Sequence, residues 1–299
     1  MNMLNVAIDP TKVPALRFER SAGYWETVLR RFGRDKLAVF AAIVILILLA
    51  LALFGPWLAP ADPYATSMLR RLKPIGFEGH PLGTDELGRD MLTRLMIGTK
   101  LSLFMGITPV ALAFLVGSVL GIVAGYAGGA LNTIIMRTVD VFYAFPSVLL
   151  AIALSGALGA GITNSLISLT IVFIPPIARV AESVTTQVRS RDFVEAARAS
   201  GANAFTIVRV HVLGNVLSPI FVYATSLIAV SMILASGLSF LGLGVRPPEP
   251  EWGLMLNTLR TAIYVQPWVA ALPGAMIFVT SIAFNLLSDG LRSAMDIKG

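Results

Sequence analysis

The stretch Gly83-Thr84-Asp85-Glu86-Leu87-Gly88-Arg89-Asp90 holds the densest set of chemically capable side chains in the sequence. Its three carboxylates could hold a hard cation, which favours clustered oxygens. Arg89 among them favours a capped or salt-bridged loop, a structural motif in which Gly83, Thr84, Asp85, Gly88, Arg89 and Asp90 hold one another. Ser236 and Ser239 could suggest an intramembrane hydrolase, but a serine nucleophile needs a base within hydrogen-bond reach. His80 and His211 are the two histidines, and both lie outside the apolar stretches. There is no cysteine, which excludes disulfides, thiolate metal sites and cysteine nucleophiles. No glycine-rich loop ends in Gly-Lys-Ser/Thr, so nothing here cradles a nucleotide phosphate. The sequence therefore offers no catalytic residue, no metal site and no cofactor of its own.

A different pattern begins at Ser190. Asp192 followed by Glu195 has the spacing of a capping box and predicts the start of a short helix. On that helix Phe193, Ala196, Ala197, Ser200, Gly201 and Ala204 fall on one face, almost all of it small. A small face lets another backbone come close. It suits docking in a partner's groove, with Glu195 and Arg198 fixing the orientation, and it equally suits rest against neighbouring helices of the same chain. Arg137 and Asp140 are spaced to pair across one helical turn. Pro146, Pro175 and Pro176 could be hinges or simple kinks.

The elements that must position these residues follow from composition. The chain has 299 residues, of which 56% are hydrophobic and 13% charged, about half the charge of a soluble domain. The apolar residues come in six long blocks, 37–58, 101–124, 141–160, 162–178, 216–245 and 268–288, none with an Asp, Glu, Lys, Arg or His. Each is near the roughly 20 residues that a helix needs to cross a bilayer. Continuous apolar runs predict helices rather than alternating barrel strands, so the fold class is an all-α polytopic membrane protein with six transmembrane helices. The first block is too long and too far from the N-terminus for a cleaved signal peptide.

The net charge of +6 is read as the Lys and Arg excess of cytoplasmic flanks, with no nucleic-acid partner. With both termini cytoplasmic, fifteen of the 23 Lys and Arg residues fall inside. Residues 1–36 are then a cytoplasmic segment, 37–290 the transmembrane domain with a long cytoplasmic loop at 179–215, and 291–299 a cytoplasmic tail. Before the first span, Phe18, Trp25, Val28, Leu29 and Phe32 lie near helical spacing among Arg30, Arg31 and Arg34. That pattern fits an amphipathic helix on an anionic membrane surface, or an ordinary positive flank. Charge-free spans argue against ion-coupled transport, where intramembrane charges serve as relays. A self-contained secondary transporter or channel is the alternative to a transport subunit powered from outside.

Glu195-Ala196-Ala197, then Gly201 after three intervening residues and Leu213 further on, resemble the cytoplasmic signature of ABC importer permeases. His211 and Gly214 stand where that signature has isoleucine and proline, a departure at the end of the motif. The 83–90 cluster with Leu92 and Arg94, Ile135-Met136-Arg137 with Asp140, Leu238 to Gly244, Pro247-Pro248 to Gly253, and Phe284-Asn285-Leu286 with Asp289 to Arg292 are similar to the second permease of dipeptide, oligopeptide and nickel importers. The resemblance implies a type I importer permease fold in a bacterial inner membrane and a heterodimer with a homologous partner permease. It also implies two ATP-binding subunits, carrying ATP and Mg, docked at Glu195, Ala196, Ala197, Arg198, Gly201 and Leu213. An extracytoplasmic substrate-binding protein would deliver the cargo. Peptide is the first substrate expected, with nickel complexes, glutathione and opine-like conjugates behind it.

Overall fold

A computed structural model describes residues 23–295 and is helical throughout, with only two isolated bridge pairs in the loops. Phe18 of the expected N-terminal helix and the end of the tail lie outside the described residues.

Helix α1 (Tyr24–Phe32) is followed by α2 (Lys36–Leu58), whose first turn is capped by Asp35 accepting from the backbone N–H groups of Leu37 and Ala38. The first block is thus a single helix, about 35 Å long at 1.5 Å per residue. Residues 59–90 form a loop. Helix α3 (Met91–Ala127) then starts ten residues before the expected span, because Asp90 accepts from the N–H of Thr93 at 2.7 Å and caps it there.

The third block is a broken element rather than one straight helix. Helices α4 (Gly129–Tyr143) and α5 (Ser147–Leu158) meet at 87°. Pro146 stands at the break, where its ring and missing N–H end the ladder. Among the described residues five helices are long and apolar enough to cross a membrane, or six if the bent pair counts as one span. Pro175 and Pro176, by contrast, lie inside the continuous helix α6 (Ile162–Arg189), which runs eleven residues past the expected span. Next come α7 (Asp192–Ala199) and the single turn α8 (Ala204–Thr206). A π-helical segment (Ile207–Val212) leads from α8 into α9 (Leu213–Phe240). After a second loop containing α10 (Trp252–Thr258), α11 (Pro267–Met295) closes the fold.

Alternation of the spans puts residues 59–90 and 241–266 at one end of the bundle, the loop end, and α7 with the α3–α4 junction at the other. Helix α3 is the central post, and its most extensive partner is α6. Gly117, Gly121 and Gly125, one turn apart, allow this. A Cβ on Gly121 would sit 2.3 Å from the Ala178 carbonyl oxygen, and one on Gly125 2.7 Å from that of Glu182. Such close backbone approach is how helices associate where lipid removes the hydrophobic drive. The buried core splits into one cluster around α3, α6 and α9 and another around α2, α3, α10 and α11. Large apolar side chains left exposed, such as Leu46, Phe104, Leu115 and Phe278, cover the sides of the bundle, as a lipid solvent requires.

Candidate functional site

The segment between α6 and α9 presents a short helix on a fixed mount. Helix α7 has no side-chain cap: its N-cap position is Arg191, and Asp192 is already the first helical residue. The expected capping box of Asp192 and Glu195 is therefore not formed. Both acids sit in the first turn and Arg198 in the last, the arrangement that favours the helix dipole. One residue anchors the helix. Val194 is wholly buried, next to Ile207 and Val212 of the π segment, which are buried with it.

The C-terminal end is closed by Gly201. Its φ of +83° places it in the left-handed region. Its N–H donates to the Arg198 carbonyl at 3.1 Å, and the N–H of Ala202 donates to the Ala197 carbonyl at 3.2 Å. These two bonds form a Schellman motif, which calls for glycine at this position. Gly201 thus ends the helix and does not extend its small face. Asn203 restarts the chain by accepting from the N–H of Thr206 at 2.8 Å.

Only part of the expected docking set faces outward, because Ala197 and Leu213 pack against the same buried cluster as Val194. Glu195, Ala196 and Arg198 are exposed, Ala197 and Leu213 are half-buried, and Phe193 stays 44% exposed. The Phe193 ring is tilted beside that of His211 at 6.5 Å between centroids. Phe205 and Val210 are also exposed on this segment. Sequence reasoning passed over them, although two large apolar residues in a charged loop were a usable signal. A groove of about 450 Å³ lies alongside, lined by Val188, Ser190, Arg191, Asp192, Phe193 and Asn215. The segment thus leaves small and aromatic surface open at the end of a 28-residue helix and at the start of a continuous helical run to Phe240.

Beside this segment, Asn132 of α4 donates to Glu182 of α6 at 2.8 Å and to the Ala124 carbonyl of α3 at 3.2 Å. Asp140 pairs with Arg179 of α6 at 2.5 Å, so the expected turn-spaced pair of Arg137 and Asp140 is replaced by a bond between helices.

At the loop end, the three carboxylates do not converge. Asp85 accepts from the backbone N–H groups of Leu87 and Arg89 at 2.9 Å, and bonds the Arg89 Nε at 2.6 Å. Arg94 reaches the same carboxylate at 3.5 Å and donates to the Pro63 carbonyl at 2.9 Å. Asp90 holds His80 at 2.8 Å besides capping α3, while Glu86 accepts from Thr261 at 2.7 Å. The Thr84 hydroxyl donates to the Arg70 carbonyl, and Gly83 and Gly88 are packed against backbone of 67–74. The site residues Thr84, Asp85, Arg89 and Asp90 are all buried.

A further carboxylate at this end, Glu251 of the family-like Pro247–Gly253 stretch, has a role that spacing did not foretell. Glu251, 1% exposed, caps α10 by accepting from Gly253 and Leu254 at 2.8 Å, and takes a hydrogen bond from the Ser102 hydroxyl. Burial pushes its carboxyl above the usual carboxylate range, against the opposing pull of those N–H and hydroxyl donors. Ser239 lies in this network and accepts from the Val245 N–H, away from either histidine.

The chain matches two family models. Residues 117–297 match the binding-protein-dependent transport system inner membrane component, and residues 23–74 the N-terminal transmembrane domain of oligopeptide transport permease C. The glutathione transport system permease protein GsiD of Pectobacterium atrosepticum is 41% identical over 286 residues, 96% of this chain and 95% of that protein. GsiD of Escherichia coli is 41% identical over the same share of this chain and 94% of its own length. Among solved structures, the methionine ABC transporter MetNI in an inward-facing conformation superposes with a TM-score of 0.54 at 19% identity, over 67% of this chain and 97% of that one. An amino acid ABC transporter gives 0.51 at 14% identity, over 66% and 92%. Those two likenesses concern the fold. Together with the bundle of long apolar helices, the family matches establish that the chain belongs to the inner membrane components of binding-protein-dependent transport systems, as a multi-pass permease subunit of an ABC importer.

Proposed function

We propose that this permease, paired with a homologous partner permease, forms the path by which short peptides enter the cell. In this reading the termini and α7 are cytoplasmic, and α7 docks on separate ATPase subunits that hold ATP and Mg. An extracytoplasmic binding protein delivers the peptide at the loop end. The observation that carries the reading is the mounting of α7: one buried anchor at Val194, a glycine stop at Gly201 and an otherwise open face. A helix held this way can be pushed as a unit.

The chain also has the levers to pass such a push on. Helix α6 ends and helix α9 begins on either side of the α7 segment, and the two pack against each other and against α5. Between them and the α4–α5 break lies a cavity of about 330 Å³ with Phe142, Tyr143, Phe173, Pro176 and Tyr223 in its wall. Movement of α7 would tilt both long helices and change access to that cavity. Its wall carries no charged group, which suits a path whose selectivity is set by the binding protein. Short peptides include glutathione, the substrate named for the GsiD relatives.

The test is to co-express the chain with its partner subunits, purify through a tag on it, and measure ATPase activity in lipid with and without binding protein and peptide. The wild-type complex should show stimulation by loaded binding protein. Ala196→Trp, which adds bulk on an exposed position of α7, should lose it. Ion-gradient-driven transport by this chain alone, or unchanged coupling in Ala196→Trp, would defeat the reading.

A further inference from the structure

A groove of about 630 Å³ runs between α2 and α3 just below the loop end. At its head the two helices touch, since a Cβ on Gly55 would lie 3.3 Å from the Met96 carbonyl oxygen. Further along, Leu49 and Ala52 on α2 face Leu101, Phe104 and Ile107 on α3 across open space. The walls are apolar, but the mouth carries two opposite charges, Lys100 and Glu249.

The depth of these charges is set by the chain itself. From Leu101 to the end of α3 there is no charged residue, so Lys100 stands at the boundary between hydrocarbon and headgroups. The wall from Leu101 to Thr108 then descends about 10 Å into the hydrocarbon at the helical rise of 1.5 Å per residue. Lys100 and Glu249 are both exposed and do not pair with each other. One oxygen of Glu249 accepts from the Tyr64 hydroxyl at 3.0 Å, which leaves the other for a second donor. The loop that carries Glu249 is pinned here by Pro250, whose carbonyl oxygen lies 3.2 Å from where a Cβ on Gly98 would be.

We propose that this groove is a binding site for an amine-bearing zwitterionic phospholipid, with an acyl chain between α2 and α3, the phosphate on Lys100 and the headgroup ammonium on Glu249. The charge pattern selects the occupant. A lipid with a phosphate but no ammonium leaves Glu249 unanswered, and a quaternary ammonium has no N–H to donate to it. The site owes nothing to α7, so its fate is independent of how the ATPases dock.

The test uses the intact complex in vesicles containing phosphatidylethanolamine or phosphatidylglycerol with a photoreactive group on the acyl chain, followed by peptide mapping of the label. Phosphatidylethanolamine should label the 101–108 segment over the rest of the lipid-facing surface. Lys100→Gln should cut that labelling about tenfold, the worth of one charge-assisted hydrogen bond. Phe104→Trp, which fills the groove and leaves the charges, should cut it as well. Equal labelling by the two lipids, label spread evenly around the bundle, or an unlabelled 101–108 segment because protein covers it, would each overturn the proposal. Binding-protein-stimulated ATPase activity, measured in the same samples, shows whether a variant complex is still assembled.

Discussion

Asp140 on α4 and Arg179 on α6 meet at 2.5 Å, and the Arg179 guanidinium also lies 4.9 Å from the centroid of the Tyr143 ring. Two residues near the α4–α5 break, Asp140 and Tyr143, are thereby tied through Arg179 to the helix that leads into α7. Tyr143 is the last residue of α4, immediately before the bend. The pair is partly exposed, at 47% and 38% for the two side chains. Its contribution to stability is therefore expected to be small, up to about 1 kcal/mol, and weaker in high salt. Its contribution to coupling is expected to be larger than that. Asp140→Arg and Arg179→Asp should each lower binding-protein-stimulated ATPase activity, and the double reversal should restore part of it. A double variant no better than the worse single one would mean that the pair does not carry motion between the helices.

Gly201 separates two explanations of the α7 signature. Space around it is open, with no atom within 4 Å of a Cβ built there. What it needs is the left-handed backbone, which asparagine adopts readily and a β-branched residue resists at a cost of about 1–2 kcal/mol. Gly201→Asn should therefore retain assembly with the ATPase subunits, while Gly201→Val should lose much of it. The measurement is the amount of ATPase subunit recovered through a tag on the permease. Equal loss in both variants would show that the partner requires a bare surface at Gly201.

What could be read from the sequence was lipid thickness more than helix length. The block at 37–58 coincides with α2 because capping at Asp35 and the end of the apolar run fall together. Helices α3, α6 and α11 all outrun their apolar blocks, since the hydrogen-bond ladder continues through polar residues once packing supports it. Pro146, Pro175 and Pro176 were equal candidates for a hinge or kink, and nothing in composition says that the helix breaks at Pro146 and runs on through the other two. The spacing from Asp192 foretold a short helix at α7, yet the anchor Val194 was invisible: a lone valine in an eight-residue helix carries no period. Gly117, Gly121 and Gly125 were legible in principle as a small-residue stripe, with nothing to say which helix would meet it.

Glu251 gives a pH prediction. Its carboxyl sits above the ordinary carboxylate range in the folded chain because it is desolvated. In the fold it then holds a proton that the unfolded chain has already released. Its contribution to stability is full below the ordinary carboxylate pKa and is lost as pH rises through the folded value. Thermal unfolding of the purified complex, followed from about pH 4 to about pH 8, brackets the ordinary carboxylate pKa. Over that range Glu251→Gln should show a flatter decline than the wild type. Glu251→Ala should be less stable than both at every pH, because two N–H donors of α10 lose their acceptor, typically about 1–2 kcal/mol for a lost cap. A glutamine variant with the same pH slope as the wild type would mean that Glu251 is ionised throughout.

The α3–α6 seam should be the least forgiving surface in the chain. A Cβ on Gly121 meets the Ala178 carbonyl oxygen at 2.3 Å, the Ala181 Cβ at 2.5 Å and the Glu182 backbone nitrogen at 2.8 Å. Two of these are backbone atoms, and the third is fixed to backbone, so no rotamer change can relieve the clash. Either the helices separate or the substitution is not tolerated. Gly121→Ala should therefore cost at least about 1–3 kcal/mol, the range for overpacking a tight core. Gly274→Ala is the control. Its Cβ would find only Leu256 Cδ2 at an ordinary 3.7 Å, and removing a glycine from the middle of α11 should be neutral or stabilising by about 0.5–1 kcal/mol. Unfolding temperatures of the two variants in detergent make the comparison. If Gly121→Ala proved as stable as Gly274→Ala, the helices would have to be free to slide apart. The seam could not then act as the stiff post against which α6 transmits movement from α7.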